Sequence, residues 1–219
     1  MKELTLVIGN KVYSSWSLRP WIALKQAGIP FKEIRVPLYA PGSKETILSH
    51  SPAGKVPILH DGDVTVWESL AICEYLAEKF PEKKLWPADG AARALARSVS
   101  TEMHAGFAEL RTHMTMNCRK RHPGKGRTPA VQQDIERIGA IWNDCRTRYG
   151  RGGDFLFGHF TITDAMYAPV VTRFVTYDVS LDPVASAYRD AVMALPAMQQ
   201  WMKEAQAETE VVPELERYS

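Results

Sequence analysis

The chain has 219 residues, 45% hydrophobic and 24% charged, with a formal net charge of +2. That is the composition of a globular protein with room for one large domain or two small ones. The near-neutral balance argues against binding to nucleic acid or anionic membrane driven by net charge, and no apolar run approaches the roughly eighteen residues needed to span a bilayer. The opening "MKELTLVIGNKVYSS" lacks the apolar core and small-residue cleavage site of a signal peptide, so it reads as mature protein. Three cysteines, Cys73, Cys118 and Cys145, form no C-x-x-C. So sparse and odd a set points to reduced thiols in a cytoplasm rather than a disulfide scaffold.

Leu4–Ile8 is a short apolar strand run. Leu18 to Ala27 reads as a helix closed by Gly28, with Ser17 as its cap and Pro20 in its first turn. Phe31–Val36 alternates as a half-buried strand, and a short helix follows. Val56–His60 and Asp63–Trp67 flank Asp61-Gly62, a hairpin signal. Glu68–Phe80 carries Leu70, Ile72, Cys73, Leu76 and Phe80 on one helical face and stops at Pro81. The order β-α-β-(short helix)-β-β-α implies a mixed sheet with helices packed on it.

"PEKKLWPADGA" then reads as a linker pinned by Trp86, and the strand signal nearly vanishes. Ala91–Met116 repeats Leu95, Val99, Met103, Phe107, Leu110 and Met114 at helical spacing, as does the stripe Val131, Ile135, Ile138, Trp142, Cys145 and Tyr149. Further helices are expected near Asp164–Thr176, Ala185–Ala194 and Ala197–Ala207. The division expected is 1–82, a linker at 83–90, and an all-helical unit at 91–219.

Three local patterns can carry chemistry. Ser14, Ser15 and Ser17 crowd a helix N-terminus, where free N–H groups and the helix dipole favour a thiolate, oxyanion or phosphate. Lys55-Val56-Pro57 precedes the hairpin; a cis Pro57 there would turn the Val56 backbone outward to pair with an extended peptide-like ligand. Glu68-Ser69 opens a helix and suits the ammonium and carboxylate of an amino-acid zwitterion. A fourth pattern, Thr161-x-x-Asp164, resembles a capping box and is read as structural.

Together "YSSWSLRPWIAL", "SPAGKVPILHDGDVTVWESLAICEYLAEKFPEKKLWP" and "FLFGHFTITDAMYAPV" resemble the cytosolic glutathione S-transferases. The Ser-Ser-x-Ser stretch is most similar to the serine-type zeta and theta-like classes. The resemblance implies an α/β thioredoxin-like N-terminal domain that binds glutathione, an all-α C-terminal domain that adds an electrophile pocket, and a homodimer. It implies glutathione as co-substrate, no cofactor and no metal, and a detoxifying transferase activity. By the same resemblance Ser14 donates its hydroxyl to the glutathione sulfur, and Ser15 is a second polar contact or an alternative donor. Val56, held by a cis Pro57, pairs with the cysteinyl backbone. Lys55 lies near the carboxylate end, and Glu68 and Ser69 receive the γ-glutamyl group. The second-substrate pocket is expected to include Trp16, Met103 and Arg111.

Trp16 departs from the small or sulfur-bearing residue usual in zeta proteins, and Arg173-Phe174 stands about one helical turn earlier than the similar zeta pair. Glutathione-dependent cis–trans isomerisation of a small dicarboxylic acid, of the maleylacetoacetate type, is the alternative activity, with Arg19, Arg111 and Arg173 as its cations. A non-catalytic glutathione-binding or scaffold protein is the third reading. Thiol–disulfide reduction is disfavoured, because serines stand where a low-pKa cysteine is required. The basic stretch Arg119–Arg127 lacks interleaved aromatics and reads as a solvated loop.

Overall fold

The computed structural model describes residues 3–218, so the outermost residues of the two expected units, Met1, Lys2 and Ser219, lie outside the described residues. Strand β1 (Leu4–Ile8) pairs in parallel with β2 (Phe31–Arg35) and antiparallel with β3 (Ile58–Asp61). Strand β4 (Val64–Trp67) completes a sheet of order β2-β1-β3-β4. β1 is central because it is apolar on both faces, and successive side chains point opposite ways. Leu6 and Ile8 join the main core with helices α1 (Ser15–Gln26) and α3 (Ser69–Lys79). Val7 instead packs with Val36, Ile58 and Ile47 of helix α2 (Ser43–His50).

Asp61 pairs with Val64, so the hairpin turn is Gly62-Asp63, one residue later than expected. Gly62 has φ 62, a conformation open to a residue without Cβ. Helix α1 also starts earlier than expected, at Ser15, which makes Ser14 and not Ser17 its N-cap. Pro20 therefore lies in the second turn and deprives the Trp16 carbonyl of its intrahelical donor. Burial of the whole Ser17–Leu24 run overrides that local penalty.

The second unit contains α4 (Gly90–Ala105), α5 (Ala108–His113), α6 (Pro129–Tyr149), α7 (Ile162–Thr176), α8 (Pro183–Ala194) and α9 (Pro196–Ala207). The single helix expected across Ala91–Met116 is broken at Gly106-Phe107. Phe107 adopts φ 58, which cannot continue a right-handed helix, and Asp134 of α6 accepts the Leu110 N–H at 2.9 Å. Helix α7 is apolar nearly all round and packs against both α1 and α4, joining the two units through one core. It opens on the Thr161/Asp164 capping box, in which Asp164 accepts the Thr161 N–H at 2.7 Å. Burial pushes the Asp164 carboxyl up to about 6.

Between the units, Trp86 is buried and donates its indole N–H to Glu74 of α3 at 3.0 Å. Beyond α9 the chain returns to the first unit. Glu208 accepts the Lys11 and Val12 N–H groups at 2.7 and 3.2 Å, and Glu216 accepts the Tyr13 hydroxyl at 2.5 Å.

Candidate functional site

The serine turn lies at the junction of the two units. Ser14 has φ −81 and ψ 82, yet its side chain does not cap its own helix. Its Oγ donates to Ser17 Oγ at 2.7 Å, and Ser17 Oγ also accepts the Gly9 N–H at 3.1 Å. Ser14 and Ser15 line a cavity of about 690 Å³, a size suited to a small-molecule ligand. Lys44, Lys55 and Val56 form its first-unit wall, and Arg111, Thr115 and Arg173 its helical wall.

A smaller cavity of about 320 Å³ shares Trp16, Lys55 and Val56 with the first and adds Pro57 and Glu68. The Val56–Pro57 bond is cis. Glu68, the residue before α3, has φ 68. A non-glycine residue there costs about 1–3 kcal/mol, a strain that concentrates at ligand sites. Glu68 lines the smaller cavity. Ser69 lines neither; it is fully buried, and its hydroxyl accepts from Arg19 Nη1 at 3.5 Å.

Three guanidiniums cluster here, Arg111 and Arg173 on the helical wall and Arg19 on α1 of the first unit. Arg19 is buried and stacks its guanidinium 4.3 Å from the Trp16 ring centroid, with Arg111 at 5.5 Å from the same ring. Carbonyl oxygens hold all three: Met166 for Arg19 at 3.2 Å, Met103 for Arg111 at 3.1 Å, and Met114 and Pro169 for Arg173 at 2.8 and 3.1 Å. Among the described residues none of the three forms an ion pair with a carboxylate. Burial, then Arg173 and Arg111, push Arg19 down to about 9. Burial, then Arg111, push Arg173 down to about 10. A cluster of mutually repelling cations beside a cavity favours an anionic ligand.

His104 packs edge-on against Trp16 at 5.1 Å and lies 3.6 Å from Glu68. Burial and Arg19 push its imidazole down, keeping it neutral at pH 7. Met103 is fully buried and lines neither cavity; it contributes the carbonyl that holds Arg111. Its place on the inner stripe with Val99 explains this. Of the residues expected around the second substrate, Trp16 and Arg111 thus face the main cavity. Tyr39, Lys44, Thr115 and Leu215 were not anticipated there. They lie in loops or short elements, where hydrophobic periodicity carries no signal.

The three thiols are buried, and burial pushes each up to about 12, so none is a nucleophile at neutral pH. Among the described residues no group of three or more His, Cys, Asp and Glu side chains is placed to hold a metal, and no helix is long and apolar enough to cross a membrane.

Residues 13–79 match the family model "Glutathione S-transferase, N-terminal domain", and residues 125–204 match "Glutathione S-transferase, C-terminal domain". A probable maleylacetoacetate isomerase from Caenorhabditis elegans is 30% identical over 188 residues, covering 84% of this chain and 85% of its own. A zeta-class glutathione S-transferase from Euphorbia esula is 27% identical over 204 residues, covering 90% and 89%. Among solved structures, a glutathione transferase homologue from Burkholderia gl BGR1 with bound glutathione has a TM-score of 0.72 at 25% identity. That match covers 94% of this chain and 100% of the other.

Proposed function

Because the chain belongs to the glutathione S-transferase family, we propose that it binds glutathione across these two cavities and that the Ser14 hydroxyl holds the sulfur as a thiolate. The observation that carries this is Ser14 itself: an N-terminal helix residue that lines the cavity with a side chain unused in capping. Ser15 supplies a second polar contact. Val56 pairs with the cysteinyl backbone, Lys55 faces the carboxylate end, and Glu68, on the smaller cavity, takes the γ-glutamyl group without Ser69, which lies buried behind it.

A free thiol has a pKa of about 8.5, and lowering it by about two units takes roughly 2.7 kcal/mol of preference for the anion. One hydrogen bond to a charged group supplies about 1.5–3 kcal/mol, and the end of α1 adds about 0.3–1 kcal/mol. These suffice without a metal, and Ser14 stays neutral because its proton is the donor. The thiolate then forms a C–S bond with an electrophilic carbon, which either expels its leaving group or, where it belongs to an activated double bond, passes the electron pair to the neighbouring carbon, which takes a proton from water. Ser14→Ala tests the assignment: the pKa of bound glutathione rises and conjugation slows while folding is nearly unchanged. Unchanged rates would pass the role to Ser15.

A second reading is favoured by one observation, Arg111 and Arg173 at the cavity wall, held by carbonyl oxygens and in no salt bridge among the described residues. They suit a small dicarboxylic acid. The thiolate adds to its cis double bond, the adduct rotates, and thiolate departs to leave the trans acid and regenerated glutathione. Turnover of maleylacetoacetate decides for this reading, and inertness there leaves conjugation alone. The scaffold reading returns only if immobilised glutathione fails to retain the protein.

A homodimer and a cytoplasmic setting belong to the same proposal. Edge strand β4 leaves Val64 47% and Trp67 43% exposed beside Glu68, an apolar edge suited to a second copy. Sedimentation measures the dimer. The buried free thiols fit a reducing compartment.

A further inference from the structure

We propose that Ser17 is a positioning residue that turns the Ser14 hydroxyl toward the glutathione sulfur, in a relay running from the Gly9 N–H through Ser17 and Ser14 to the thiolate. The proposal rests on the Ser14 assignment above.

A seryl hydroxyl donates one hydrogen bond and accepts two. Ser17 is fully buried, so its proton needs an acceptor inside the protein. It accepts from Gly9 at 3.1 Å and lies 2.7 Å from Ser14 Oγ. While Ser14 donates to Ser17, no hydrogen bond among the described residues uses the Ser17 proton, and the Ser14 proton is directed away from the cavity. Reversing that one contact resolves both. Ser17 then donates to Ser14, and Ser14 has its proton free for an anion arriving in the cavity. A thiolate rewards the reversal, and each donated bond polarises the next hydroxyl. No proton is transferred, and both serines stay neutral throughout. Ser15 Oγ has no such neighbour among the described residues, so the relay selects Ser14 over Ser15 as the partner of sulfur.

The test is a titration of bound glutathione carrying ¹³C at the cysteinyl β-carbon, whose shift reports that thiol alone. Ser14→Ala raises its pKa by about one to two units. Ser17→Ala raises it by about half a unit. Ser17→Thr, which keeps the hydroxyl, restores the native value. The double variant rises no further than Ser14→Ala. Binding of S-methylglutathione, which carries no anionic sulfur, changes less than twofold in Ser17→Ala. Should the alanine variant fail to fold, the near-isosteric Ser17→Cys, a weak donor, shifts the titration in the same direction. The relay is overturned if Ser14→Ala moves the thiol and the folded Ser17 variants do not, or if S-methylglutathione weakens as much as the titration shifts. No shift in Ser14→Ala removes the Ser14 assignment first and the relay with it.

Discussion

The two walls of the main cavity stabilise anions by different means. On the first-unit side, which also carries Lys44 and Lys55, the groups proposed to hold the glutathione cysteinyl residue form a neutral wall: the hydroxyls of Ser14 and Ser15, the end of α1 and the Val56 backbone. On the helical side Arg111 and Arg173 carry full charge on the cavity, and Arg19 of α1, stacked on Trp16, adds a third charge to the cluster. A neutral donor lowers a thiol pKa without the desolvation penalty of a buried ion. The guanidiniums do bear that penalty, visible in the depression of Arg19 to about 9 and Arg173 to about 10. A fold retains such a destabilising cluster more readily when a ligand carries the matching charge, so the neutral wall suits activation and the charged wall suits selection.

The largest expected effect concerns buried charge itself, away from the cavity. The folded Asp164 carboxyl titrates at about 6 against an ordinary value of 3.8. The shift is upward, so its contribution to stability is full below about 3.8 and is lost as pH rises through about 6. Against Asp164→Asn, the wild type should lose roughly 3 kcal/mol of relative unfolding free energy between pH 3.5 and 7. Parallel curves from denaturant titrations would show that burial does not govern this group.

Next in size is the neutral wall. Ser14→Ala should lower kcat/KM about 10- to 100-fold at neutral pH, and raising the pH should restore part of the rate by ionising the thiol in solution. An undiminished rate would erase the activating role of that wall.

The charged wall should give a smaller, selective effect. Arg111→Met should cost about tenfold in kcat/KM for a dicarboxylic substrate and under about threefold for a neutral aryl halide. Equal losses on both substrates would dissolve the distinction between the walls.

The smallest effect marks what charge is worth when solvated. Arg137 meets Glu102 through two contacts of 2.7 and 2.9 Å, but its side chain is 56% exposed. Arg137→Ala should change stability by about 0.2–1 kcal/mol, with the difference fading in high salt.

The same contrast explains how much was legible in the sequence. The neutral wall sits on local elements: the Leu4–Ile8 strand, the helix behind the serines, the hairpin and the Glu68 turn all follow from hydrophobic period and turn chemistry over a few residues. Even there, the helix began three residues early, because tertiary burial outweighed the preference of Pro20 for a first turn. The charged wall joins residues 19, 111 and 173, which approach only because α7 packs on α1 and the chain breaks after α4. An unbroken apolar repeat across Ala91–Met116 hid that break, since Phe107 supplies a core side chain while leaving the helical conformation. Ser17 showed the same limit. Its type suggested a cap, but its partner, Gly9, lies across the turn.

The return of residues 208–216 onto residues 11–13 has a consequence for biosynthesis. The turn that presents Ser14 leaves the ribosome well before its clamps, Glu208 and Glu216. A nascent chain can assemble its sheet before then, but its serine turn is fully braced only once residues 208–216 have emerged.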